Sequence, residues 1–307
     1  MTAKPPLETL PEQFINYLRS ARGYSDHTCS GYQRQLNVIS KALQQQGFTD
    51  WATLTPKAIE SLVISWRRQE LGIPSIHQRL AALRSFCDYL IRLEILTSNP
   101  ARSVRAPKAG KRLPKNMDVD GVAHLLDEVP TDPLGIRDRA MFELIYSSGL
   151  RVSELVSVNL GDLNKQRELR VLGKGKKTRI VPYGREAAKW LDAWLQVRRG
   201  LLSQTAPLDA AGALFIGQRG TRLSTRSVQL RLKQWAQKRG IADQVHPHKL
   251  RHSFASHMLE SSGDLRAVQE LLGHANLSTT QVYTHLDFQH LASVYDSAHP
   301  RARKNKS

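Results

Sequence analysis

The sequence predicts a mainly α-helical protein with a small β-sheet, divided into an N-terminal four-helix domain and a C-terminal α+β domain. Three observations support this fold class. Apolar residues recur at helical spacing through most of the first hundred residues. The periodicity stops over a basic stretch, and two short β-like runs then interrupt a second helical region. We therefore expect domains at residues 1–97 and 118–307, joined by a linker at residues 98–117.

The first domain is expected to contain four helices, each with its own start and stop signals. They are expected from about Leu10 to Gly23, from Ser25 to Gly47, from Pro56 to Gly72, and over the apolar face Ile76, Leu80, Leu83, Cys87, Leu90 and Ile91. Ser25 is a suitable N-cap, and Pro56 suits a first helical turn. The fourth helix is the clearest because its apolar residues share one face.

The expected linker is strongly basic and rich in helix breakers. Residues 98–117 contain six lysines and arginines and no acidic residue, with prolines at 100, 107 and 114. Two interpretations stay open for this charge: a solvated tether, or contact with phosphate groups. A basic tether would allow the two domains to close around a duplex.

The second domain is expected to place a β-hairpin among helices. Helices are expected at about 119–128, 134–148, 151–158, 185–200, 224–239, 248–262, 264–272, 278–285 and 287–297. Strands are expected at 168–172 and 178–183, on either side of the turn Gly173-Lys174-Gly175.

The composition favours a polyanionic partner. Lysine and arginine number 45 against 27 acidic residues, which gives a formal net charge of +18. A basic surface kept only for solubility is the alternative. A membrane partner is disfavoured because no apolar run approaches the roughly 20 residues of a bilayer span, and the N-terminus lacks signal-peptide order. Cys29 and Cys87 look like buried helix residues of a reducing compartment, so we expect a cytoplasmic protein.

His248 and Arg251 are candidates for holding an anion. They are three residues apart on one expected helix, so both side chains lie on the same face. Pro247 fits the first turn, where exposed amides and the helix dipole favour negative charge. Zinc binding by His248 and His252 is a rival interpretation, but no third ligand lies nearby in the sequence. We expect His252 to be a packed helix residue.

Two more cations lie at turns. Lys174 stands between two glycines, where a lysine could enter a groove of DNA or protonate a leaving oxygen, although a plain charged turn is the simpler interpretation. Arg151 begins a helix, which suits anion binding, but an ion pair with Glu154 explains it equally well. We expect Arg179, at the end of the same basic run, to contact backbone phosphates.

Tyr283 is the candidate nucleophile. A phenol has a pKa of about 10, so it is activated more easily than a serine hydroxyl. His274 lies a few residues before it, and basic motifs precede both. A buried structural tyrosine is the alternative, and Tyr146 and Tyr295 serve as comparisons because no similar basic cluster closely precedes them.

With these residues assembled, the chain resembles the tyrosine recombinase family over nearly its whole length, and most closely the Xer subgroup. The segments that carry the resemblance are GLRVSEL (149–155), GKGKKTR (173–179), HPHKLRH (246–252), LLGHANLSTTQVYTH (271–285) and LDFQHLASVYDSAHPRA (286–302).

The resemblance implies a role for six residues. Arg151 and Arg251 would hold the scissile phosphate, and Lys174 would protonate the leaving 5′ oxygen. His248 would assist in proton handling and His274 would donate a hydrogen bond to the phosphate. Tyr283 would form a 3′-phosphotyrosyl intermediate. The chemistry would need no metal, cofactor or ATP.

The resemblance also implies partners. The N-terminal domain would be a core-binding domain on double-stranded DNA at a dif-like site, and the C-terminal domain would be catalytic. An XerD-like recombinase would complete a heterotetramer, in which residues 286–294 dock into a neighbouring subunit. A cell-division DNA translocase would be the activator. Two rival functions stay open: a type IB topoisomerase, and a DNA-binding module without catalysis.

Overall fold

The computed structural model describes residue 7 and residues 9–108, 116–173, 178–202, 207–242, 244–273, 294–295 and 297–300. The chain divides into two units, Met1–Leu113 and Pro114–Ser307. Within the described residues the protein is mainly helical with one two-stranded sheet, so the predicted fold class is confirmed. In this part of the chain, every helix is too short or too polar to cross a lipid bilayer.

The N-terminal unit contains the four predicted helices. They are α1 (Thr9–Ser20), α2 (Asp26–Gln45), α3 (Pro56–Arg68) and α4 (Ile73–Arg92), followed by a short α5 (Pro100–Ser103). Ser25 accepts the backbone N–H of Thr28 and is the predicted N-cap of α2. Thr55 accepts the N–H of Ala58 and caps α3, which begins at Pro56 as predicted.

Aromatic residues form the centre of the N-terminal core. The ring of Phe86 contacts Phe14 and Trp51 edge-on, at centroid distances of 5.4 and 4.8 Å. Cys29 and Cys87 are free thiols buried in this core, as predicted, and burial raises the pKa of Cys87 to about 12. Both cysteines therefore act as small apolar residues.

The predicted linker begins with the short helix α5, which the prolines of this segment did not indicate. Pro100, Ala101 and Val104 are buried in the N-terminal core. Arg84 of α4 donates to the carbonyl oxygens of Ala101 at 3.0 Å and Val104 at 2.8 Å. Residues 100–104 therefore belong to the N-terminal unit, because buried apolar groups and satisfied carbonyls hold them against α4.

The C-terminal unit surrounds one buried helix. Its described elements are α6 (Val119–Leu126), α7 (Pro133–Ser148), α8 (Val152–Ser157), β1 (Glu168–Leu172), β2 (Thr178–Pro182), α9 (Arg185–Arg198), α10 (Leu208–Gly212), α11 (Thr225–Lys238), α12 (Pro247–Ser262) and α13 (Leu265–Leu272). Nearly every residue of α7 is buried, and α6, α8, α9, α11 and α12 all pack against it. A helix that is buried on every side needs no polar face, which explains why α7 has little amphipathic character.

The predicted hairpin is present. Strands β1 and β2 are antiparallel, with Arg170 opposite Ile180 and Val171 opposite Arg179. Side chains alternate between the two faces, so Val171, Arg179 and Val181 point into the core while Arg170 and Ile180 are exposed. The short helix α10 was not predicted from the sequence.

The last two predicted helices fall almost wholly outside the described residues. Val294, Tyr295, Ser297 and Ala298 are helical. Val294, at the end of the segment expected to dock into a neighbour, packs against the core of its own chain, and Tyr295 and Ala298 are buried there. The other residues of 278–297 lie outside the description.

Candidate active site

The site is built around the turn that ends α7. Gly149 has a left-handed backbone with φ of 59°, which a glycine adopts without strain. A Cβ atom at this position would lie 2.5 Å from the ring of Phe254 and 2.9 Å from the side chain of Leu272. The turn therefore needs glycine for its conformation and for its space, and it places Arg151 at the start of α8.

Glu154 is the centre of an arginine cluster. Its carboxylate accepts the backbone N–H of Arg151 at 2.8 Å and the Arg151 side chain at 3.0 Å. Arg179 binds both carboxylate oxygens, at 2.8 and 3.0 Å. Arg251 lies 3.9 Å from the same carboxylate. One buried acid thus gathers three guanidinium groups from α8, β2 and α12.

The C-terminal end of α13 provides a second anchor for these arginines. Arg251 donates to the carbonyl oxygen of Leu272 at 2.7 Å and also to that of Gly149. Arg179 donates to Leu271 at 3.3 Å, and Arg151 reaches Leu272 at 3.5 Å. The carbonyls at a helix C-terminus lack helical partners and carry partial negative charge, so they suit cations.

The cluster keeps its charge at neutral pH. Burial, and then the neighbouring Arg151, lowers the pKa of Arg251 to about 10, which still leaves it protonated. Burial alone would raise the pKa of Glu154, but hydrogen bonds and charge from Arg179 and Arg151 outweigh it, and the pKa is lowered. Three positive groups and one negative group therefore leave two net positive charges. Arg151 keeps about a third of its side chain exposed, at 35%, which leaves room for an anion.

His248 lies in the first turn of α12 and is exposed. Its pKa is lowered by partial burial and by the positive charges of Arg251, His252 and Arg151. The lowered pKa favours the neutral imidazole, the form that can accept a proton. His246 caps the helix by accepting the N–H of Lys249 at 3.1 Å.

Three of the six predicted site residues are described, and the structure brings them together. The carbonyl oxygen of Leu272 is shared by Arg151 and Arg251, and both arginines lie close enough to His248 to lower its pKa. Lys174, His274 and Tyr283 lie outside the described residues. The described chain stops at Gly173 and Gly273, immediately before Lys174 and His274. A Cβ atom added at Gly273 would lie 3.1 Å from the guanidinium of Arg179, which belongs to the cluster.

Two expectations were wrong. Arg179 is not a surface phosphate contact: it is buried against Glu154, because it occupies an inward position of β2. His252 is not packed into the helix interface; it is exposed on α12. The alternation of side chains along β2 could have indicated that Arg179 is buried, because Arg179 lies on the same face of the strand as the apolar Val181. A buried arginine needs an acidic partner inside the protein.

The comparison tyrosines are structural. Tyr146 and Tyr295 are almost fully buried in the C-terminal core. The Tyr146 hydroxyl and Nδ1 of His257 are hydrogen-bonded at 2.8 Å, and Tyr295 stacks on His299. Among the described residues, no three His, Cys, Asp or Glu side chains are grouped so as to hold a metal ion.

Comparison with known proteins places both units in one group. Residues 115–290 match the phage integrase family, and residues 12–94 match the N-terminal SAM-like domain of phage integrases. The tyrosine recombinase XerC of Actinobacillus pleuropneumoniae serotype 7 (strain AP76) is 52% identical over 301 residues, 98% of this chain and 96% of that protein. The XerC of Serratia marcescens is 49% identical over 304 residues, 99% and 98% of the two chains.

Solved structures share the fold. A lambda integrase dimer bound to a COC′ core site superposes with a TM-score of 0.68 at 18% identity, covering 91% of this chain and 100% of that chain. The XerH site-specific recombinase bound to a palindromic difH substrate, in a post-cleavage complex, also gives 0.68, at 21% identity, covering 93% and 84%.

Proposed function

This chain belongs to the phage integrase family, in the XerC subgroup of tyrosine recombinases, and from that premise we propose that it resolves chromosome dimers at a dif-like DNA site. It is a site-specific recombinase, an enzyme that cleaves and rejoins DNA. The finer proposal concerns the residues that carry the reaction, the DNA site and the partner.

The reaction that we propose exchanges one phosphodiester for another. The phenolic oxygen of Tyr283 attacks the phosphorus, a P–O bond to tyrosine forms, and the bond to the 5′ oxygen breaks. Lys174 supplies the proton that the 5′ oxygen needs to leave. The 5′ hydroxyl of a second strand then attacks the same phosphorus, and Tyr283 leaves and regains its proton. The energy of the original bond is kept in the intermediate, so rejoining needs no ATP.

The observation that carries this proposal is the fixed arginine cluster. Arg151 and Arg251 are held by Glu154 and by the end of α13 before any substrate arrives. Donors that are already oriented stabilise the charge that develops on a pentavalent phosphate without reorganising during the step. The net positive charge of the cluster matches a dianionic transition state.

The histidines would complete the set. A neutral His248 can accept the proton that Tyr283 loses on attack, and its lowered pKa favours that form at pH 7. We assign to His274 a hydrogen bond to a non-bridging phosphate oxygen. Lys174 and His274 each follow a glycine that is the last described residue before a gap in the description.

The partners that we propose follow from the relatives. Residues 1–97 would bind DNA as the core-binding domain, residues 98–117 would link, and residues 118–307 would carry catalysis. An XerD-like recombinase would complete a heterotetramer in the cytoplasm, under the control of a cell-division DNA translocase. The match of residues 12–94 to the SAM-like domain of phage integrases supports the N-terminal domain in this proposal, and the names of the relatives support its Xer subgroup.

A nicked suicide substrate tests the proposal. Such a DNA loses a short fragment after cleavage, so the covalent complex accumulates and is seen by denaturing electrophoresis. With a dif-like site and the XerD of the same host, we expect wild-type protein to be trapped and Tyr283→Phe to give no complex. Trapping by Tyr283→Phe would identify another nucleophile. No trapping by wild type would favour a DNA-binding module, and relaxation of supercoiled DNA without strand exchange would favour a topoisomerase.

A further inference from the structure

Arg179 lies inside the arginine cluster but is closed to the substrate. Only 8% of its side chain is exposed, against 35% for Arg151. Arg251 is as buried, at 9%, but it differs from Arg179 in lying 3.9 Å from Glu154. Within the described residues, Arg179 donates to both oxygens of Glu154 and to the carbonyl oxygen of Leu271. These contacts use three of the five N–H donors of the guanidinium, and burial leaves little of the group open to a phosphate, so we expect its contribution to the reaction to pass through Glu154.

We propose that Arg179 is a positioning residue that occupies Glu154, so that Arg151 and Arg251 stay available to the scissile phosphate. The inference rests on the proposed function, because it assigns the two outer arginines to the phosphate. It adds a division of labour within the cluster. Arg179 makes the bidentate contact with the acid, so that Arg151, which contacts the acid through one side-chain nitrogen, and Arg251, which stays 3.9 Å away, keep donors for the phosphate.

The distances support this division. Arg179 holds both carboxylate oxygens at 2.8 and 3.0 Å, whereas Arg251 stays 3.9 Å away and donates instead to two carbonyl oxygens. A buried carboxylate that lost its bidentate partner would attract the nearest remaining cations. Those are Arg151 and Arg251, so loss of Arg179 would turn Glu154 into a competitor of the phosphate.

The net charge of the cluster predicts whether a second substitution restores or further lowers the cleavage rate. Three arginines and one glutamate carry two net positive charges. Arg179→Gln lowers that to one, whereas Arg179→Gln combined with Glu154→Gln restores two. If Arg179 acts by occupying the acid, removal of the acid must rescue its loss. If Arg179 only stabilised β2, Glu154→Gln would give no such rescue, because it would remove a further contact.

The experiment measures the cleavage rate on the suicide substrate. We expect Arg179→Gln to slow cleavage about 100-fold, comparable to the loss of one transition-state donor. The double variant should recover at least tenfold, and Arg179→Lys, which keeps the charge, should lie between wild type and Arg179→Gln. Equal or slower cleavage by the double variant, or wild-type cleavage by Arg179→Gln, would overturn the proposal.

A substrate with a 5′-thiol leaving group shows whether Arg179 acts by occupying Glu154 or by positioning the general acid, Lys174. The thiol leaves without a proton, so it should not rescue Arg179→Gln. Rescue would mean that Arg179 acts through Lys174 on the neighbouring turn and would also overturn the proposal. Wild-type protein is assayed beside every variant. If the wild-type protein does not cleave, the proposed function itself is contradicted.

The chain offers a matched control. Arg139 and Glu143 form an equally buried pair on α7, at 2.8 Å. Arg139→Gln and its double variant with Glu143→Gln should lower thermal stability without the cleavage pattern described above. The folded fraction of each variant is measured by circular dichroism, and cleavage rates are compared per folded molecule.

Discussion

Gly149 shapes the turn of the candidate active site through its conformation and its lack of a Cβ atom. Gly149→Ala would combine a strained left-handed alanine with a Cβ atom 2.5 Å from Phe254. We expect a loss of about 3 kcal/mol in the free energy of unfolding, from backbone strain and overpacking together. Urea denaturation measures this loss. Gly212→Ala is the matched control, since no atom lies within 4 Å of its added Cβ, and it should change stability by less than about 0.5 kcal/mol.

Lys174 can be tested at the same scale. If it is the general acid, Lys174→Ala should cleave an ordinary suicide substrate about 100-fold or more slowly, within the range by which acid–base catalysts accelerate reactions. A 5′-thiol needs no proton to leave, so the variant should cleave that substrate nearly as fast as wild type. A defect of the same size on both substrates would remove Lys174 from the acid role.

At the scale of elements, the contact between α4 and α5 holds the start of the predicted linker. Arg84→Met would leave the carbonyls of Ala101 and Val104 without their charged donor. We expect the N-terminal unit to lose about 2 kcal/mol, because hydrogen bonds from charged groups contribute about 1.5–3 kcal/mol. Hydrogen exchange of α4 amides in the full chain measures this change. Arg68→Met, on an exposed position of α3, should leave the exchange unchanged.

Most helices and the hairpin could be predicted because their signals are local. Ser25, Thr55 and Ser224 cap helices through side chains that contact their own first turn, and the proline at 56 fits the start it was assigned. The short helices α5 and α10 could not be predicted. Each has only about one turn, too little for a periodic pattern, and α5 is held by Arg84, 17 residues away from its carbonyl partner Ala101.

The site was only partly predictable for a related reason. The i, i+3 spacing of His248 and Arg251 and the position of Arg151 are local features, and the structure brings these residues together. The pairing of Arg179 with Glu154 joins residues 25 positions apart. The composition shows a basic run, but the inward position of Arg179 on β2 and its contact with Glu154 of α8 determine that this cation is buried.

For the molecule as a whole, acid should weaken the C-terminal unit. Burial lowers the pKa of His246, His248 and His257 below the ordinary value of 6.5. As the pH falls, the unfolded chain therefore binds protons first, and the free energy of unfolding must decrease below about pH 6.5. Urea denaturation at pH 7.5 and 5.5 measures the decrease. His257→Asn should make the decrease smaller, and a pH-independent stability would contradict the assignment.

The carbonyl oxygens of Leu271 and Leu272 hold the cations at the last turn of α13, and the backbone passes from there through Gly273 toward His274 and Tyr283. Any displacement of the segment that contains Tyr283 would therefore act first on the peptide groups that bind Arg179 and Arg251. If Arg251 binds the scissile phosphate as proposed, displacement of that segment by a neighbouring molecule would also weaken the contacts that orient Arg251. An isolated copy and an assembled copy would then differ in reactivity.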